Sequence, residues 1–349
     1  MAPGTHLPSL TGLRWIAAFL VFGFHVQVGG RLPEATATRL VQDVFGAGAT
    51  GVSFFFLLSG FVLMWSSARE RPGEFWWRRF ARVYPLHAAT AALALIVGGG
   101  LPPAPVVAAN LTLVQAWSPD HAYYQGLNAV SWTLSCEAFF YLMFPLLAAG
   151  IGRLRPDALT LTLIGAWLVI VAGPFAGGPA VWFFHWTPAG RLPEFVCGLA
   201  LACLVRRTAP DRVNLTRLWC AAAVVTVAGY VLAGRVAEPW NLAAYTLPGF
   251  ALVLAAAALA DLRGRWTPWR NRVMVRLGEL SFAFYLVHVL VLRGFETVLD
   301  TPRPDLSAGV ALAGSLCALL SALVVAWVLN TTVERPARRL LLRRGAVSR

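Results

Sequence analysis

The sequence predicts an all-α integral membrane protein with about ten transmembrane helices and both termini in the cytoplasm. Of its 349 residues, 58% are hydrophobic and 13% are charged, whereas a soluble domain carries roughly 25% charged residues. Apolar runs long enough to cross a bilayer recur along the whole chain. The basic residues are concentrated in alternate segments between the apolar runs. The segments 67–82, 151–157, 206–217, 261–276 and 330–349 together hold 22 of the 29. Because cytoplasmic loops are rich in basic residues, this alternation requires an even number of helices.

The spans follow from the apolar runs in chain order. We predict spans at 10–28, 50–66, 83–100, 130–150, 158–175, 190–205, 218–234, 242–260, 277–293 and 309–329. Two further apolar stretches, 105–117 and 179–186, are too short to span and indicate interfacial or re-entrant segments on the outer side. We expect no cleavable signal peptide, because no small-residue cleavage site follows the first span. One transmembrane domain should cover 1–334, followed by a basic cytoplasmic tail over 335–349.

The charge and cysteine content exclude several classes of protein. The formal net charge of +13 is spread over alternate loops instead of one patch, so it indicates membrane orientation, and we expect no nucleic-acid partner. The five cysteines lie in or beside apolar spans without a pairing pattern. A disulfide framework and a metal site are therefore not expected.

The first span contains both an arginine and a histidine. Arg14 and His25 are eleven residues apart, which is about three helical turns, so both side chains share one face with about 16 Å between them along the axis. Ionisable groups at membrane depth are expensive and are usually functional. This helix is therefore predicted to present a fixed cation and a titratable base to an active site.

The stretch 128–145 places a carboxylate, Glu137, inside the fourth span. A buried carboxylate needs a partner, and depth favours His25, because both residues fall in the outer half of the bilayer while Arg14 falls in the inner half. We therefore predict that His25 is a base oriented by Glu137. His288 also reaches the outer half, either in the site or as a core histidine bonded to a neighbouring helix.

The remaining polar candidates lie near the outer ends of spans. Glu194 stands at the mouth of the sixth span, where it can contact substrate or pair with Arg191. Cys136 adjoins Glu137, but successive helical positions face different ways, so an inert buried thiol is the better interpretation. The candidate substrate-binding residues are Trp132, Ser135, Tyr285, His288 and Glu194.

A pair of arginines precedes the third span. Arg79 and Arg82 are separated by about one helical turn. They are either orientation signals alone or guanidinium groups that bind the phosphates of a cytosolic ligand.

Taken together, these stretches resemble the acyltransferase-3 family of membrane O-acyltransferases. The resemblance rests on the ten residues between Arg14 and His25 and on six motifs that occur in the family's order. The motifs are GVSFFFLLSGF (51–61), RRFARVYP (78–85), SWTLSCEAFFY (131–141), RLPEFVCGLALA (191–202), LGELSFAFYLVH (277–288) and ERP (334–336). The opening LPSLTGLRWIAAFLVFGFHV and the short form, without a hydrolase-like domain, resemble the macrolide acyltransferases of actinobacteria.

The resemblance implies a ten-helix core in a bacterial cytoplasmic membrane and transfer of an acyl group, commonly acetyl from acetyl-CoA, to a hydroxyl group. It implies that His25 is the catalytic base with Arg14 as its companion. Arg79 and Arg82, with Arg78, would bind CoA. Acyl-CoA would be a co-substrate, and no permanently bound cofactor is expected. The acceptor would be a macrolide, a sugar or another glycan, the alternative being a cell-surface polysaccharide or a lipid-linked sugar.

Two alternatives stay open on the sequence. His25 can deprotonate the acceptor hydroxyl directly, or it can form an acyl-histidine intermediate. A transporter or lipid-linked sugar flippase, in which Arg14, His25 and Glu137 line a path, is the alternative from another class. Such folds often show paired, interrupted helices in the two halves of the chain, and this sequence shows no such symmetry.

Overall fold

The computed structural model describes residues 6–28, 36–68, 70–237, 239–240, 242–299 and 307–347. The ends of the predicted domain and tail, 1–5 and 348–349, lie outside the described residues. Four of the arginines that were counted between and after the predicted spans also lie outside the described residues: Arg31, Arg69, Arg303 and Arg349. All regular secondary structure in the described part of the chain is helical.

The helices follow one another along the whole described chain. In order they are α1 (Pro8–Val28), α2 (Thr36–Phe45), α3 (Thr50–Ser66), α4 (Pro72–Gly98), α5 (Ala104–Leu111), α6 (His121–Tyr124), α7 (Trp132–Ile151), α8 (Pro156–Ala172), α9 (Pro179–Trp186), α10 (Pro188–Arg207), α11 (Leu215–Ala233), α12 (Thr246–Leu262), α13 (Arg272–Leu299), α14 (Ala308–Leu329) and α15 (Arg335–Val347). A π-helical turn, Asn330–Glu334, joins α14 directly to α15.

The predicted membrane spans correspond to helices. Nine segments of the described chain are long and apolar enough to cross a membrane. The predicted span at 242–260 corresponds to α12, an apolar helix of 17 residues. The protein is therefore an all-α integral membrane protein, as predicted. The cytoplasmic location of both termini stays a prediction, since it depends on the arginine distribution.

Two boundaries differ from the sequence prediction. The helix α4 begins at Pro72 instead of residue 83 and contains Pro85, so the arginines of the third span lie within the helix instead of flanking it. Proline fits the first helical position because the N–H of that residue has no intrahelical partner. The residues predicted as a basic tail form the helix α15. Both regions mix arginine with apolar residues, and average hydropathy therefore missed these helical segments.

The described chain forms two compact units. The first unit consists of Met1–Ala17, Ala49–Glu70 and Cys136–Glu279. The second unit consists of Ala18–Gly48, Arg71–Ser135 and Leu280–Arg349.

In the first unit, α3 and α10 approach each other closely at two glycines. A Cβ atom on Gly60 would lie 2.1 Å from the carbonyl oxygen of Phe195, and one on Gly198 would lie 2.0 Å from the carbonyl oxygen of Leu57. Small residues allow helix backbones to touch in this way. Phe140 of α7 stacks on Phe195 with ring centroids 5.0 Å apart. The close approach at the two glycines fixes the positions of the side chains that α3 and α10 direct towards each other.

In the second unit, the buried side chain of Asn110 fastens the loop that leads into α7. Its Nδ2 donates to the carbonyl oxygens of Tyr123 at 3.3 Å and Gly126 at 3.2 Å. The Ser131 hydroxyl donates to Asn110 Oδ1 at 3.0 Å. The backbone carbonyl oxygen of Asn110 lies 2.9 Å from His87 Nε2. Because buried polar atoms need partners, this network gives the loop one arrangement just before α7 begins.

Candidate active site

The second unit brings two histidines of distant sequence together. His288 Nε2 of α13 lies 3.2 Å from His25 Nδ1 of α1, and the ring centroids are 4.9 Å apart at an interplanar angle of 66°. His288 is fully buried, at 0% exposure, whereas His25 is half-buried. Sequence analysis placed both residues in the outer half of the bilayer but did not pair them.

The hydrogen-bond partners assign the tautomer of each ring. His288 Nδ1 lies 2.6 Å from the carbonyl oxygen of Tyr285, which can only accept, so Nδ1 carries the hydrogen and Nε2 of the neutral ring accepts. His25 Nδ1 lies 2.9 Å from the carbonyl oxygen of Val21. It therefore donates to this oxygen and to His288. The lone pair of neutral His25 is then on Nε2, which is the atom that can take up a proton.

Aromatic rings surround this histidine pair. Phe284 stacks on His288 at a centroid distance of 5.9 Å, and Phe22 meets the same ring edge-on at 6.3 Å. Phe24 packs edge-on against His25 at 5.5 Å. Phenylalanine offers no hydrogen bond, so these rings hold the two imidazoles by packing alone.

The loop before α7 is bonded to the turn of α13 that carries His288. The Asn128 side chain donates to the carbonyl oxygen of Leu286 at 2.7 Å, and the Tyr285 hydroxyl donates to the carbonyl oxygen of Val130 at 3.4 Å. These bonds fix the backbone whose Tyr285 carbonyl oxygen sets the His288 tautomer.

Two predicted substrate contacts follow this loop at the start of α7. Trp132 and Ser135 are buried, at 7% and 1% exposure. Within the described residues, Ser135 Oγ has no hydrogen-bond partner, and neither has Asn128 Oδ1. A buried polar atom without a protein partner calls for an explanation. These atoms are therefore candidate contacts for a polar substrate.

Arg14 and His25 both belong to α1, which runs from Pro8 to Val28, and their joint role stays a prediction. Arg14 is half-buried. Glu137 is half-buried and accepts a hydrogen bond from the Tyr141 hydroxyl at 2.6 Å. Glu137 belongs to the first unit and His25 to the second. Their pairing therefore stays a prediction.

Glu194 pairs with Arg191 in the first unit, which is one of the two predicted alternatives. The two side chains are 1% and 2% exposed, and their charged atoms are 3.1 Å apart. Arg191 also donates to Ser53 Oγ of α3 at 3.0 Å and lies over the ring of Phe56 at 5.3 Å. The contact of Glu194 with substrate stays a prediction.

Cys136 is fully buried, with Sγ 3.7 Å from the carbonyl oxygen of Trp186. Reactive cysteines are partly exposed and lie in electropositive surroundings. The burial agrees with the interpretation of this thiol as inert.

The arginines of α4 form a cluster over little more than one turn. Arg79 and Arg82 are half-buried and Arg78 is exposed. The Arg79 guanidinium lies over the ring of Phe75 at 5.6 Å, and Arg78 lies 4.0 Å from Glu74. Residues three and four apart are neighbours on a helix surface, so Arg82 lies next to both Arg78 and Arg79 on α4.

The acyltransferase domain family known as acyltransferase-3 matches residues 7–331. The chain belongs to the acyltransferase-3 family. This membership and the apolar helices identify a multi-pass membrane enzyme that transfers acyl groups to hydroxyl oxygens, as the resemblance of the motifs implied.

Three curated relatives of this acyltransferase-3 protein match most of its length. The acyltransferase MdmB of Streptomyces mycarofaciens is 37% identical, over 98% of this chain and 94% of its own. The exopolysaccharide production protein ExoZ of Rhizobium meliloti (strain 1021) is 28% identical, over 87% of this chain and 93% of its own. Nodulation protein 10 of Rhizobium leguminosarum bv. viciae is 27% identical, over 70% of this chain and 72% of its own. No solved structure matches the chain significantly.

Sequence reasoning missed part of this candidate site. It did not identify His288 as the partner of His25. It also did not identify the Tyr285 carbonyl oxygen, which sets the tautomer of His288, or Asn128, which bonds to the adjacent backbone. The available signal was depth, which placed His288 near His25 without giving the direction of either ring.

Proposed function

We propose that this enzyme moves an acyl group, acetyl in the first instance, from acyl-CoA to a hydroxyl group of a macrolide, a sugar or another glycan, with His25 as general base. The observation that supports this role is the hydrogen bond between His288 and His25. It puts the hydrogen of His25 on Nδ1 and leaves Nε2 as the basic atom. A neutral imidazole in a defined tautomer is what general base catalysis requires.

The proposed reaction is a direct transfer. The acceptor oxygen attacks the thioester carbonyl carbon while His25 Nε2 takes the hydroxyl proton. The tetrahedral intermediate then expels the CoA sulfur, the carbon–sulfur bond breaks, and the proton passes from His25 to the thiolate. The products are an ester and free CoA, and His25 returns to its starting state. Throughout the step, His288 Nε2 accepts from Nδ1 of His25 and stabilises the transient imidazolium.

The donor is proposed to approach from the cytoplasm. Arg79 and Arg82, with Arg78, would bind the phosphates of CoA through their planar guanidinium groups. The thioester arm would extend along α1 past Arg14, which precedes His25 by about 16 Å of helix. The role of Arg14 would be to polarise the arm or its carbonyl group. Glu137 would assist the base through its negative charge, which favours the imidazolium that His25 forms during the step.

The acceptor is proposed from the resemblance of the opening residues to macrolide acyltransferases, with the protein in the bacterial cytoplasmic membrane. The relative named for exopolysaccharide production supports a glycan as the second candidate. Trp132, Ser135 and Tyr285 are the proposed acceptor contacts. A buried hydroxyl such as that of Ser135 discriminates well between an acceptor with and without the matching polar group.

Transfer by the purified protein in lipid nanodiscs tests this function. Labelled acetyl-CoA is incubated with macrolides and with lipid-linked and soluble glycans, and free thiol and acceptor mass are measured. We expect CoA release together with one added acetyl group on one acceptor class. In proteoliposomes, a flippase would move a glycan across the bilayer without forming an ester or free CoA. Absence of CoA release with every acceptor would contradict the proposal.

A further inference from the structure

Gln115 is a fully buried glutamine on the segment between α5 and α7. Its Nε2 donates to the carbonyl oxygen of Ser131 at 3.0 Å and to the Ser131 hydroxyl at 3.4 Å. A carbonyl oxygen can only accept a hydrogen bond, so the first contact fixes which end of the amide is the nitrogen. The other end is Oε1, and within the described residues this oxygen has no hydrogen-bond partner.

Asn128 divides its amide in the same way. Its Nδ2 donates to the carbonyl oxygen of Leu286 at 2.7 Å, which leaves the buried Oδ1 without a partner in the described part of the chain. Ser131 joins the two amides, because its backbone N–H donates to the carbonyl oxygen of Asn128 at 2.9 Å. Ser135, whose buried hydroxyl also has no partner among the described residues, follows Ser131 by about one helical turn. We call Gln115, Asn128 and Ser135 the loop cluster.

A third buried amide of this segment, that of Asn110, uses both of its ends. Its nitrogen donates to two backbone carbonyl oxygens, and its oxygen accepts from the Ser131 hydroxyl. That is the pattern of an amide whose role is to hold a loop. Gln115 and Asn128 each use the nitrogen for this purpose but keep a buried oxygen unpaired among the described residues. An amide oxygen can only accept, so the group that pairs with it has to be a hydrogen-bond donor, such as a hydroxyl group.

The loop cluster is attached to the helix that carries His288. The Leu286 carbonyl oxygen that binds Asn128 belongs to the turn of α13 immediately before His288, and His288 Nε2 lies 3.2 Å from His25 Nδ1. All of these residues belong to the second unit. Two hydrogen bonds and one turn of α13 therefore connect the proposed base with the loop cluster.

We propose that Gln115 Oε1 and Asn128 Oδ1 accept hydrogen bonds from hydroxyl groups that neighbour the acylated hydroxyl of the acceptor, with Ser135 as a further contact. Gln115 is then a specificity residue, because it selects an acceptor that carries a second hydrogen-bond donor. The inference rests on the proposed function, which supplies the acceptor. An ether or ester oxygen in the same position would face an amide oxygen with no hydrogen between them, and the site would reject it.

The test compares two small acceptors that differ only in one hydrogen-bond donor. The full-length protein in nanodiscs receives labelled acetyl-CoA with either trans-1,2-cyclohexanediol or trans-2-methoxycyclohexanol, and kcat/KM per hydroxyl group is measured. We expect the wild type to prefer the diol at least about tenfold, because the ether leaves a buried oxygen unpaired. Gln115→Met should reduce this preference to about twofold or less, since an apolar side chain needs no donor. The matched control Gln125→Met, at a half-buried glutamine of the same segment, should keep it.

Two further variants separate selection of the acceptor from packing of the loop. Ser131→Ala removes the hydroxyl that bonds to both Gln115 and Asn110 but keeps the carbonyl oxygen that holds Gln115, so the unfolding temperature should fall while the preference for the diol remains. Gln115→Glu keeps an oxygen that accepts and should also retain the preference. A loss of preference in Ser131→Ala as complete as in Gln115→Met would overturn the inference, because the geometry of the loop would then select the acceptor.

The outcomes separate this inference from the proposed function. A wild type that acetylates the two alcohols equally well overturns the inference, whatever the variants do, and so does a Gln115→Met protein with the full preference for the diol. The inference also fails if a macrolide or a glycan is acetylated but neither cyclohexane alcohol is, because a site that selects neighbouring hydroxyl groups should admit the smallest ring that carries them. If CoA is released with no acceptor at all, the proposed function fails as well.

Discussion

Two buried polar pairs, one in each unit, differ in how completely they are enclosed. Arg191 and Glu194 are both almost fully buried and neutralise each other, and Ser53 accepts a further hydrogen bond. In the other pair His288 is fully buried, but His25 is only half-buried. A pair enclosed on both sides can stabilise the fold and little else. A pair enclosed on one side orients a ring whose second nitrogen can meet a substrate.

The enclosed pair should dominate stability. Arg191→Met leaves the buried charge of Glu194 uncompensated, and we expect the free energy of unfolding to fall by about 3–5 kcal/mol. Denaturant unfolding in detergent micelles measures this loss. Arg155→Met is the control, because Arg155 pairs with Asp157 in an exposed ion pair at 3.6 Å that should contribute at most about 1 kcal/mol. Equal losses for the two variants would contradict the comparison.

Removing both members of the enclosed pair sharpens the same point. Buried ion pairs can often be replaced by apolar residues without loss of stability. The double variant Arg191→Met with Glu194→Leu should therefore be more stable than Arg191→Met alone. Acyl transfer per folded molecule should stay within about twofold of the wild type, roughly 0.4 kcal/mol. A stable double variant without activity would instead place Glu194 in contact with substrate.

Substitutions in the pair of His25 and His288, which is enclosed on one side only, should have the largest effect on turnover. His288→Gln places an amide oxygen near the position of Nε2 and can still accept from His25, whereas His288→Asn cannot reach. We expect His288→Asn to lower kcat roughly a hundredfold, about 2.7 kcal/mol, because the base is no longer oriented. His288→Gln should keep most of the rate. The dependence of kcat on pH distinguishes the two possible roles of His288. If His288 orients His25, the pH profile of His288→Asn differs from that of the wild type; if His288 only packs against it, the profile keeps its shape. Equal rates for both variants would mean that His288 only fills space.

The smallest effect is expected at the edge of the enclosed pair. Ser53→Ala removes one acceptor of Arg191 but leaves the ion pair intact, so the free energy of unfolding should fall by about 1 kcal/mol. Ser66→Ala is the control, because this exposed hydroxyl bonds only locally, to the carbonyl oxygen of Val62 and to the adjacent Ser67 hydroxyl. A loss as large as that of Arg191→Met would show that Ser53, and not the ion pair, holds α3 against α10.

The same contrast between enclosure and exposure explains what the sequence could predict. The spans were predictable because apolar runs of bilayer length are a property of composition alone. The i, i+3 spacing also made the pairing of Arg191 with Glu194 one of two expected outcomes. The start of α4 at Pro72 and the helix α15 were missed because arginines alternate there with apolar residues.

The partner of His25 was beyond prediction for a different reason. Depth along a span comes from counting residues, and it placed His25, Glu137 and His288 in the same half of the bilayer. Which of them meet depends on the rotation of each helix and on the order of helices around the core, and neither is a function of depth. The hydrogen bond to His288 therefore had to come from the structure.

His25 is proposed to take the proton of the acceptor hydroxyl, and all the proposed chemistry depends on this role. The most direct test is the single-turnover rate of acetyl transfer by His25→Ala, with the exposed His121→Ala as control. We expect a rate lower by about 10²–10⁴-fold for His25→Ala, with CoA affinity and unfolding temperature unchanged and with His121→Ala active. A His25→Ala protein that transfers acetyl at nearly the wild-type rate would contradict it.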